Sequence, residues 1–321
     1  MAIKPIFLFS ISRAGSTLVQ RIVAAHDGIA TASEPWLLLP HAYTLRPQGV
    51  DAEYVHPLLV TAIEDFAATL PAGGEDYVEE LRRFALRLYE KAAEPGDTYF
   101  LDKSPPYCLI AEEIMRLFPE GKFVFLWRNP LSVIASLIDT WGPWRPTFMS
   151  SDLFIGMPRL TAAYEGNRER AHAARFEDLS APDEDAWRSL MAYLDLEFEP
   201  RSLTDFAEVD LPGRMGDPTG RKRYKALSSE PGQKWRKTLA GPVRREWCRR
   251  YLRFLGRERL ALMGYDLDRL LADLDSLPRC TDSLGTDLWE MAKDVAKEPI
   301  RSRTRTRRIG SPHVIRELMR A

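Results

Sequence analysis

The chain has 321 residues, of which 45% are hydrophobic, so it is long enough to bury a full core and is neither disordered nor fibrous. Lysine and arginine total 45 against 46 aspartate and glutamate, which gives no overall charge argument for binding nucleic acid or a membrane surface. Three cysteines without CxxC spacing and five scattered histidines predict a reducing compartment and no metal site. Without a leader pattern or a long apolar run, we expect a cytoplasmic protein with no membrane span.

The first predicted unit is a strand, a tight loop and a helix. Residues 5–9 form an apolar run of strand length, residues 10–16 are small and polar around Gly15, and residues 17–25 have helical periodicity. Such a loop points backbone N–H groups into one concavity at a helix N-terminus, where the helix dipole favours negative charge. The sequence therefore predicts a phosphate site.

This loop differs from the loop of nucleotide hydrolases, in which lysine follows the second glycine. Here Gly15 is followed by Ser16, and the cation is Arg13, which precedes the glycine. Ser16 and Thr17 add hydroxyl donors over the first helical turn. The pattern indicates a site that holds a phosphate without Mg²⁺.

Residues 12–17, Ser-Arg-Ala-Gly-Ser-Thr, resemble the phosphosulfate loop of the sulfotransferases that use 3′-phosphoadenosine 5′-phosphosulfate (PAPS). That loop commonly reads Pro-(Lys or Arg)-Ser-Gly-Thr-Thr, so Ser12, Ala14 and Ser16 depart from it. Ala14 lacks a hydroxyl but keeps its backbone N–H. The resemblance implies that the 5′-phosphosulfate is bound by Arg13, Ala14, Gly15, Ser16 and Thr17.

Glu34 follows the predicted end of a second short strand. Because the carboxyl ends of parallel strands meet at one edge of a sheet, we expect Arg13 and Glu34 to lie near each other. The alternative interpretation is a loop glutamate that faces solvent. The resemblance implies a catalytic role, since many bacterial and tyrosylprotein-type sulfotransferases have a glutamate at this spacing, proposed as general base on the acceptor hydroxyl.

Residues 37–100 have a mostly helical pattern, and residues 98–106 are predicted to form a short strand that ends in a loop. Lys103 lies just past that strand, where a cation would neutralise charge growing on the bridging oxygen of a phosphosulfate. An exposed lysine is the alternative. The Asp-Lys-Ser-Pro sequence is similar to the tyrosylprotein-sulfotransferase-like branch, which implies a catalytic Lys103. Whether His41, His56 or Tyr107 contacts the acceptor is left open.

A second strand-loop-helix unit follows. Residues 122–127 form a continuous apolar run, typical of a strand buried on both faces, and residues 131–140 are helical by pattern. Arg128 ends the strand and Ser136 lies about two helical turns later. Arg128 and Ser136 resemble, in their spacing after a strand, the sulfotransferase motif for the 3′-phosphate. A bidentate arginine and a hydroxyl suit a terminal phosphate. An exposed arginine at a helix start is the alternative.

The later part of the chain contains weaker resemblances. Residues 141–154 are aromatic and broken by proline, so they either line an acceptor pocket or pack among themselves. Lys234 and Trp235 resemble a late segment that folds over the nucleotide in this family. The resemblance ends near residue 274, which predicts a catalytic domain of residues 1–274 and a basic, partly helical extension of residues 275–321. For its arginine-rich run we favour a solvated tail over docking on an acidic partner.

The predicted fold is α/β, an open parallel sheet flanked by helices, as in the P-loop-like sulfotransferase fold. The predicted reaction moves a sulfuryl group from PAPS to a hydroxyl of a small or carrier-bound acceptor, with Glu34, Arg13 and Lys103 as catalytic residues and no metal. A P-loop-like kinase that uses ATP and a non-catalytic adenine-nucleotide-binding module are the alternatives. The sequence leaves the acceptor and the oligomeric state open.

Overall fold

A five-stranded parallel sheet, with strand order β2-β3-β1-β4-β5, forms the centre of the protein. The computed structural model describes residues 3–142, 144–146, 149–211, 215–216, 234–278, 280–294 and 296. Helices flank the sheet, which confirms the predicted open α/β architecture. The strands are β1 Lys4–Phe9, β2 Ile29–Thr31, β3 Tyr99–Asp102, β4 Lys122–Trp127 and β5 Ala171–Arg175.

The α-helices connect the strands and extend beyond them. They are α1 Ser16–Ala24, α2 Leu38–Tyr43, α3 His56–Ala67, α4 Gly74–Ala92, α5 Ala111–Leu117, α6 Pro130–Trp141, α7 Met157–Glu165, α8 Phe176–Leu179, α9 Asp185–Tyr193, α10 Ser202–Asp205, α11 Trp235–Thr238, α12 Pro242–Leu262, α13 Leu267–Asp275 and, over residues 284–294, α14. Short 3₁₀ segments span Pro105–Leu109 and Arg168–Arg170, and a π-helical turn spans Ser151–Gly156.

The central strands are buried on both faces, as their continuous apolar sequences predict. Successive side chains of a strand point to opposite faces. Phe7 and Phe9 of β1 therefore belong to one hydrophobic core, whereas Ile6 and Leu8 belong to a second core across the sheet. Strand β4 divides its side chains between the two cores in the same way.

The carboxyl end of β1 lies at the point where the strand order reverses. Strand β1 pairs with β3 on one side and with β4 on the other. Open α/β sheets bind ligands at such a switch point. Four of the predicted site residues follow four different strands at this edge: Arg13 after β1, Glu34 after β2, Lys103 after β3 and Arg128 after β4.

Helix α14 is attached to α12 by a buried ion pair. Arg244 donates to both carboxylate oxygens of Asp287, at 2.9 and 2.7 Å. The predicted boundary at residue 274 stays a prediction, and the arginine-rich run from residue 301 lies outside the described residues. Within the described ranges, no helix has the length and apolar character needed to cross a membrane.

Candidate active site

The loop after β1 has a backbone shape suited to an anion. Arg13 (φ 66°) and Gly15 (φ 93°) adopt left-handed conformations, and Ser16 begins α1. Left-handed residues within a turn make successive backbone N–H groups converge, and the first N–H groups of a helix have no partner within it. Residues 10–17, which we call the donor loop, therefore combine a converging set of N–H groups with the positive end of a helix dipole.

Phe176 supports the donor loop from α8. Its ring is buried, and a Cβ atom on Gly15 would lie 2.2 Å from the ring carbon Cδ2. The Arg128 guanidinium lies 4.6 Å from the centroid of the same ring. Sequence analysis assigned no role to Phe176. No local pattern reveals this role, because it depends on the distant β5 lying beside β4.

Replacing Gly15 by alanine is expected to lower the free energy of unfolding by about 2–4 kcal/mol, since the left-handed backbone disfavours a Cβ and the ring of Phe176 occupies its space. Gly96→Ala is the matched control, because Gly96 also has a positive φ, 112°, but no atom lies within 4 Å of the position that a Cβ would take there. It should cost only about 1–2 kcal/mol. Urea unfolding of both variants measures the difference, and equal losses would contradict the packing argument.

The two predicted phosphate motifs contact each other. Arg128 donates from Nη1 to the Arg13 carbonyl oxygen at 2.8 Å, and Arg13 donates from Nε to Ser136 Oγ at 3.2 Å. Asn129 is the N-cap of α6, because its side-chain oxygen accepts a hydrogen bond from the Leu131 N–H at 2.9 Å. Arg13, Arg128 and Ser136 thus form one connected group.

Glu34 and Lys103 form an ion pair beside the donor loop. Lys103 Nζ lies 2.8 Å from Glu34 Oε1 and 3.4 Å from Thr17 Oγ1, and its side chain is only 1% exposed. The indole N–H of Trp36 donates to the other Glu34 oxygen at 3.2 Å. Since an isolated buried ammonium is costly, the Glu34 carboxylate offsets part of the cost of burying Lys103.

A buried carboxylate, Asp102, lies directly before Lys103. It accepts hydrogen bonds from Tyr89 at 2.7 Å, Tyr107 at 3.0 Å and Ser104 at 3.1 Å. All four side chains are buried. The Tyr107 hydroxyl therefore faces this network, and Tyr107 is not among the residues that line the cavity described below.

The same network fixes the segment that follows Glu34. Ser104 Oγ accepts from the Trp36 backbone N–H at 3.1 Å, and Tyr107 Oη accepts from the Leu38 N–H at 3.0 Å. Trp36 has a left-handed backbone, with φ 53°, which is unfavourable for a residue with a large side chain. These two hydrogen bonds hold Trp36 where its indole reaches Glu34.

The free energy of unfolding should depend on pH through the ionisation of Asp102. Burial raises the pKa of Asp102 to about 6 from its ordinary 3.8, against the hydrogen bonds that lower it. The folded protein then binds this proton more tightly than the unfolded chain, so the contribution of Asp102 to stability falls as the pH rises from about 4 to about 6. Between these two pH values, we expect the free energy of unfolding of wild type to fall by on the order of 2 kcal/mol relative to that of Asp102→Asn. Urea unfolding at several pH values tests this, and a constant difference between the two proteins would contradict it.

A cavity of about 560 Å³ opens beside the donor loop. Its walls include residues of that loop together with Glu34, Trp36 and Trp141. Trp141 therefore lines a cavity, whereas Trp144 and Phe154 pack against Trp247, so the described residues of 141–154 do both. Lys103 is not part of the wall and lies behind Glu34. Its ammonium lies 2.8 Å from Glu34 Oε1 and 3.4 Å from Thr17 Oγ1, and both of these residues line the cavity.

Asp152 is a second carboxylate in the wall of this cavity, and sequence analysis missed it. It belongs to the π-helical turn Ser151–Gly156 and accepts hydrogen bonds from the side chain and backbone N–H of Ser12 in the donor loop. Nothing local in the sequence identifies it. Its position depends on the packing of the turn Ser151–Gly156 against the donor loop, which lies far earlier in the chain.

A second cavity, of about 530 Å³, lies beside the end of β4 and is lined in part by Asn129 and Trp235. Glu177 organises this region, because it accepts from the Asn129 N–H at 3.0 Å and from the Tyr265 hydroxyl at 2.6 Å. Trp235 is buried here, next to the turn that carries Arg128. Lys234 is exposed and does not line either cavity.

The two histidines that sequence analysis left open lie away from the first cavity. The His41 ring packs against Phe84 with 5.3 Å between centroids, and the buried His56 bonds through Nε2 to the Arg46 carbonyl oxygen. Neither contributes to the cavity wall. No group of three or more potential metal ligands was found in the part of the chain that the structure describes.

Known proteins resemble this chain in sequence and in fold. Nodulation protein NoeE of Sinorhizobium fredii (strain NBRC 101917 / NGR234) is 29% identical over 264 residues, which cover 73% of this chain and 60% of that protein. The chain thus spans less than two thirds of the length of this relative. The solved sulfotransferase domain from the curacin biosynthetic pathway superposes with a TM-score of 0.53 at 22% identity and covers 74% of this chain and 91% of that domain. Residues 5–200 match the model of the sulfotransferase family. The protein belongs to the sulfotransferase family.

Proposed function

We propose that the protein transfers a sulfuryl group from PAPS to an acceptor hydroxyl. The observation that carries this proposal is the arrangement of Glu34, Lys103 and Thr17, which joins a carboxylate, a buried cation and the donor loop beside one cavity. A proton acceptor next to an anion site is what transfer to a hydroxyl requires. The acceptor is a small molecule or is bound to a carrier.

The donor is held by the two connected motifs. Arg13, the backbone N–H groups of residues 14–17 and the hydroxyls of Ser16 and Thr17 bind the 5′-phosphosulfate, while Arg128 and Ser136 bind the 3′-phosphate. Support comes from the Arg13–Ser136 hydrogen bond. The 3′-phosphate and the 5′-phosphosulfate of PAPS are attached to one ribose, so the groups that bind them must lie close together. Trp235 contacts the nucleotide from the side of the second cavity, and the exposed Lys234 next to it reaches the nucleotide from outside that cavity.

In the reaction, the acceptor oxygen forms a bond to sulfur while the bond from sulfur to the bridging oxygen breaks. The acceptor proton goes to Glu34, and 3′-phosphoadenosine 5′-phosphate (PAP) leaves with the bridging electron pair. Arg13 and Lys103 stabilise the charge that grows on the leaving phosphate. When Glu34 gains a proton, its attraction for Lys103 weakens, so the ammonium becomes available to the leaving group at that moment.

Calorimetric titration distinguishes this donor from ATP. Wild type should bind PAP at least tenfold more tightly than AMP, because only PAP offers a 3′-phosphate to Arg128. Mg-ATP should bind no better than AMP, since the donor loop has no lysine after Gly15. Equal affinity for PAP and AMP, or turnover of Mg-ATP, would favour the kinase instead.

A further inference from the structure

We propose that Asp152 binds the acceptor and selects a polyol, that is, an acceptor with a second hydroxyl beside the one that is sulfated. The inference rests on the proposed function, because it concerns the acceptor side of the same cavity. Three features support it: the position of the carboxylate in the cavity wall, its burial against the donor loop, and the surfaces that face it.

Asp152 lies on the wall of the cavity next to the donor loop. Its partner Ser12 directly precedes Arg13, so the carboxylate is tied to the loop that holds the sulfuryl group. Glu34 contributes to the same cavity from the end of β2. An acceptor with one hydroxyl at Glu34 therefore has another part of its body within the space that Asp152 borders.

The burial of Asp152 favours an acceptor that brings a hydrogen-bond donor to it. Burial raises the pKa of this carboxyl, although the hydrogen bonds from Ser12 lower it. An apolar acceptor that displaced water would leave carboxylate lone pairs without a partner, which costs about 1–3 kcal/mol or more for a charged group. A second hydroxyl on the acceptor removes that cost by donating to Asp152.

The charged residues in the cavity wall narrow the class of acceptor further. Glu34 and Asp152 both border the cavity, so a phosphate or carboxylate that an acceptor places between these two side chains is repelled. An ammonium group at Asp152 would enter a cavity that Arg13 also lines, and the positive charge of Arg13 disfavours it. A neutral hydroxyl meets neither repulsion.

The rest of the wall suits a compact ring. Trp36 and Trp141 both line the cavity and are 37% and 54% exposed, so their indoles offer flat apolar surfaces to an acceptor. Saturated rings such as pyranoses have C–H groups on their faces and hydroxyls at their edges. Such a ring can pack its face on an indole while its hydroxyls reach Glu34 and Asp152.

A matched set of small acceptors tests the inference: trans-cyclohexane-1,2-diol, cyclohexanol and trans-2-aminocyclohexanol, with methyl β-D-glucopyranoside as a polyol ring. Transfer from PAPS is measured as kcat/KM for each. Wild type should prefer the diol over cyclohexanol by about tenfold to a hundredfold, the worth of one hydrogen bond to a charged group. Asp152→Ala should reduce this preference to below threefold, and because the preference is a ratio of two kcat/KM values, a loss in the donor loop that affects both acceptors equally does not change it.

PAP titration of each variant separates this result from misfolding or a damaged donor site, and Asp152→Asn, which keeps one acceptor oxygen, should retain part of the preference. Equal use of diol and cyclohexanol, preference for the amino alcohol, or a preference that survives Asp152→Ala would overturn the inference. So would a wild type that binds PAP but sulfates neither the diol nor the pyranoside. Failure to bind PAP would instead contradict the proposed function.

Discussion

Glu34→Gln is expected to lower kcat for transfer by about 10²–10⁴-fold, the usual range for losing a general base. The amide keeps the size of the side chain but cannot take the acceptor proton. Affinity for PAP should stay within about threefold of wild type, because Glu34 is assigned to the acceptor and not to the nucleotide. Initial rates of PAP formation at saturating acceptor, with calorimetric titration of PAP, measure both quantities.

The stability of Glu34→Gln needs its own control. Removing the carboxylate takes away the negative charge that lies 2.8 Å from the ammonium of Lys103, a side chain that is only 1% exposed. Breaking a buried pair in this way costs about 3–5 kcal/mol. The double variant Glu34→Gln/Lys103→Met removes the stranded charge and should recover stability without recovering transfer. A single variant with near wild-type kcat, or activity regained in the double variant, would exclude Glu34 as the base.

Lys103→Met is expected to lower kcat by about 10²–10³-fold, as for other preorganised charges aimed at a transition state. Because Lys103 is buried, solvent screens its charge poorly, and its ammonium lies 3.4 Å from Thr17 Oγ1 in the donor loop. The loss should appear in kcat more than in the acceptor KM, since the charge acts on the leaving phosphate.

Lys293→Met provides the matched control for this substitution, because Lys293 is 40% exposed and pairs with Glu290 on α14, away from the cavity. It should leave kcat within about twofold of wild type. If Lys103→Met also stayed within threefold, the ion pair with Glu34 would be a structural feature and Lys103 would have no part in the chemistry.

Much of the fold could be predicted because local patterns determine it. The continuous apolar run of residues 122–127 corresponds to β4, and the proline and asparagine after it correspond to the start of α6. The chain places Arg13, Glu34 and Lys103 each just after a short strand. Parallel strands bring such positions to one edge, so their proximity followed from the order of elements alone.

Other parts of the site depend on contacts between distant segments. Phe176 packs under Gly15, and Asp152 bonds to Ser12, although each partner lies far away in the chain. The direction of a side chain is equally non-local. Lys103 follows the expected strand, but its ammonium lies behind the cavity wall, bonded to Glu34 and Thr17, which both line the cavity. Periodicity and motif spacing carry no information about contacts between distant segments or about the direction of a side chain.

The most direct test of the central claim follows labelled sulfur from PAPS. Wild type is incubated with [³⁵S]PAPS and a panel of pyranosides, aliphatic alcohols and phenols, with and without EDTA. The account predicts one labelled sulfate ester for each PAP formed, unchanged by EDTA and nearly absent with Glu34→Gln. Release of PAP without a labelled ester, or phosphoryl transfer from ATP to the same panel, would contradict it.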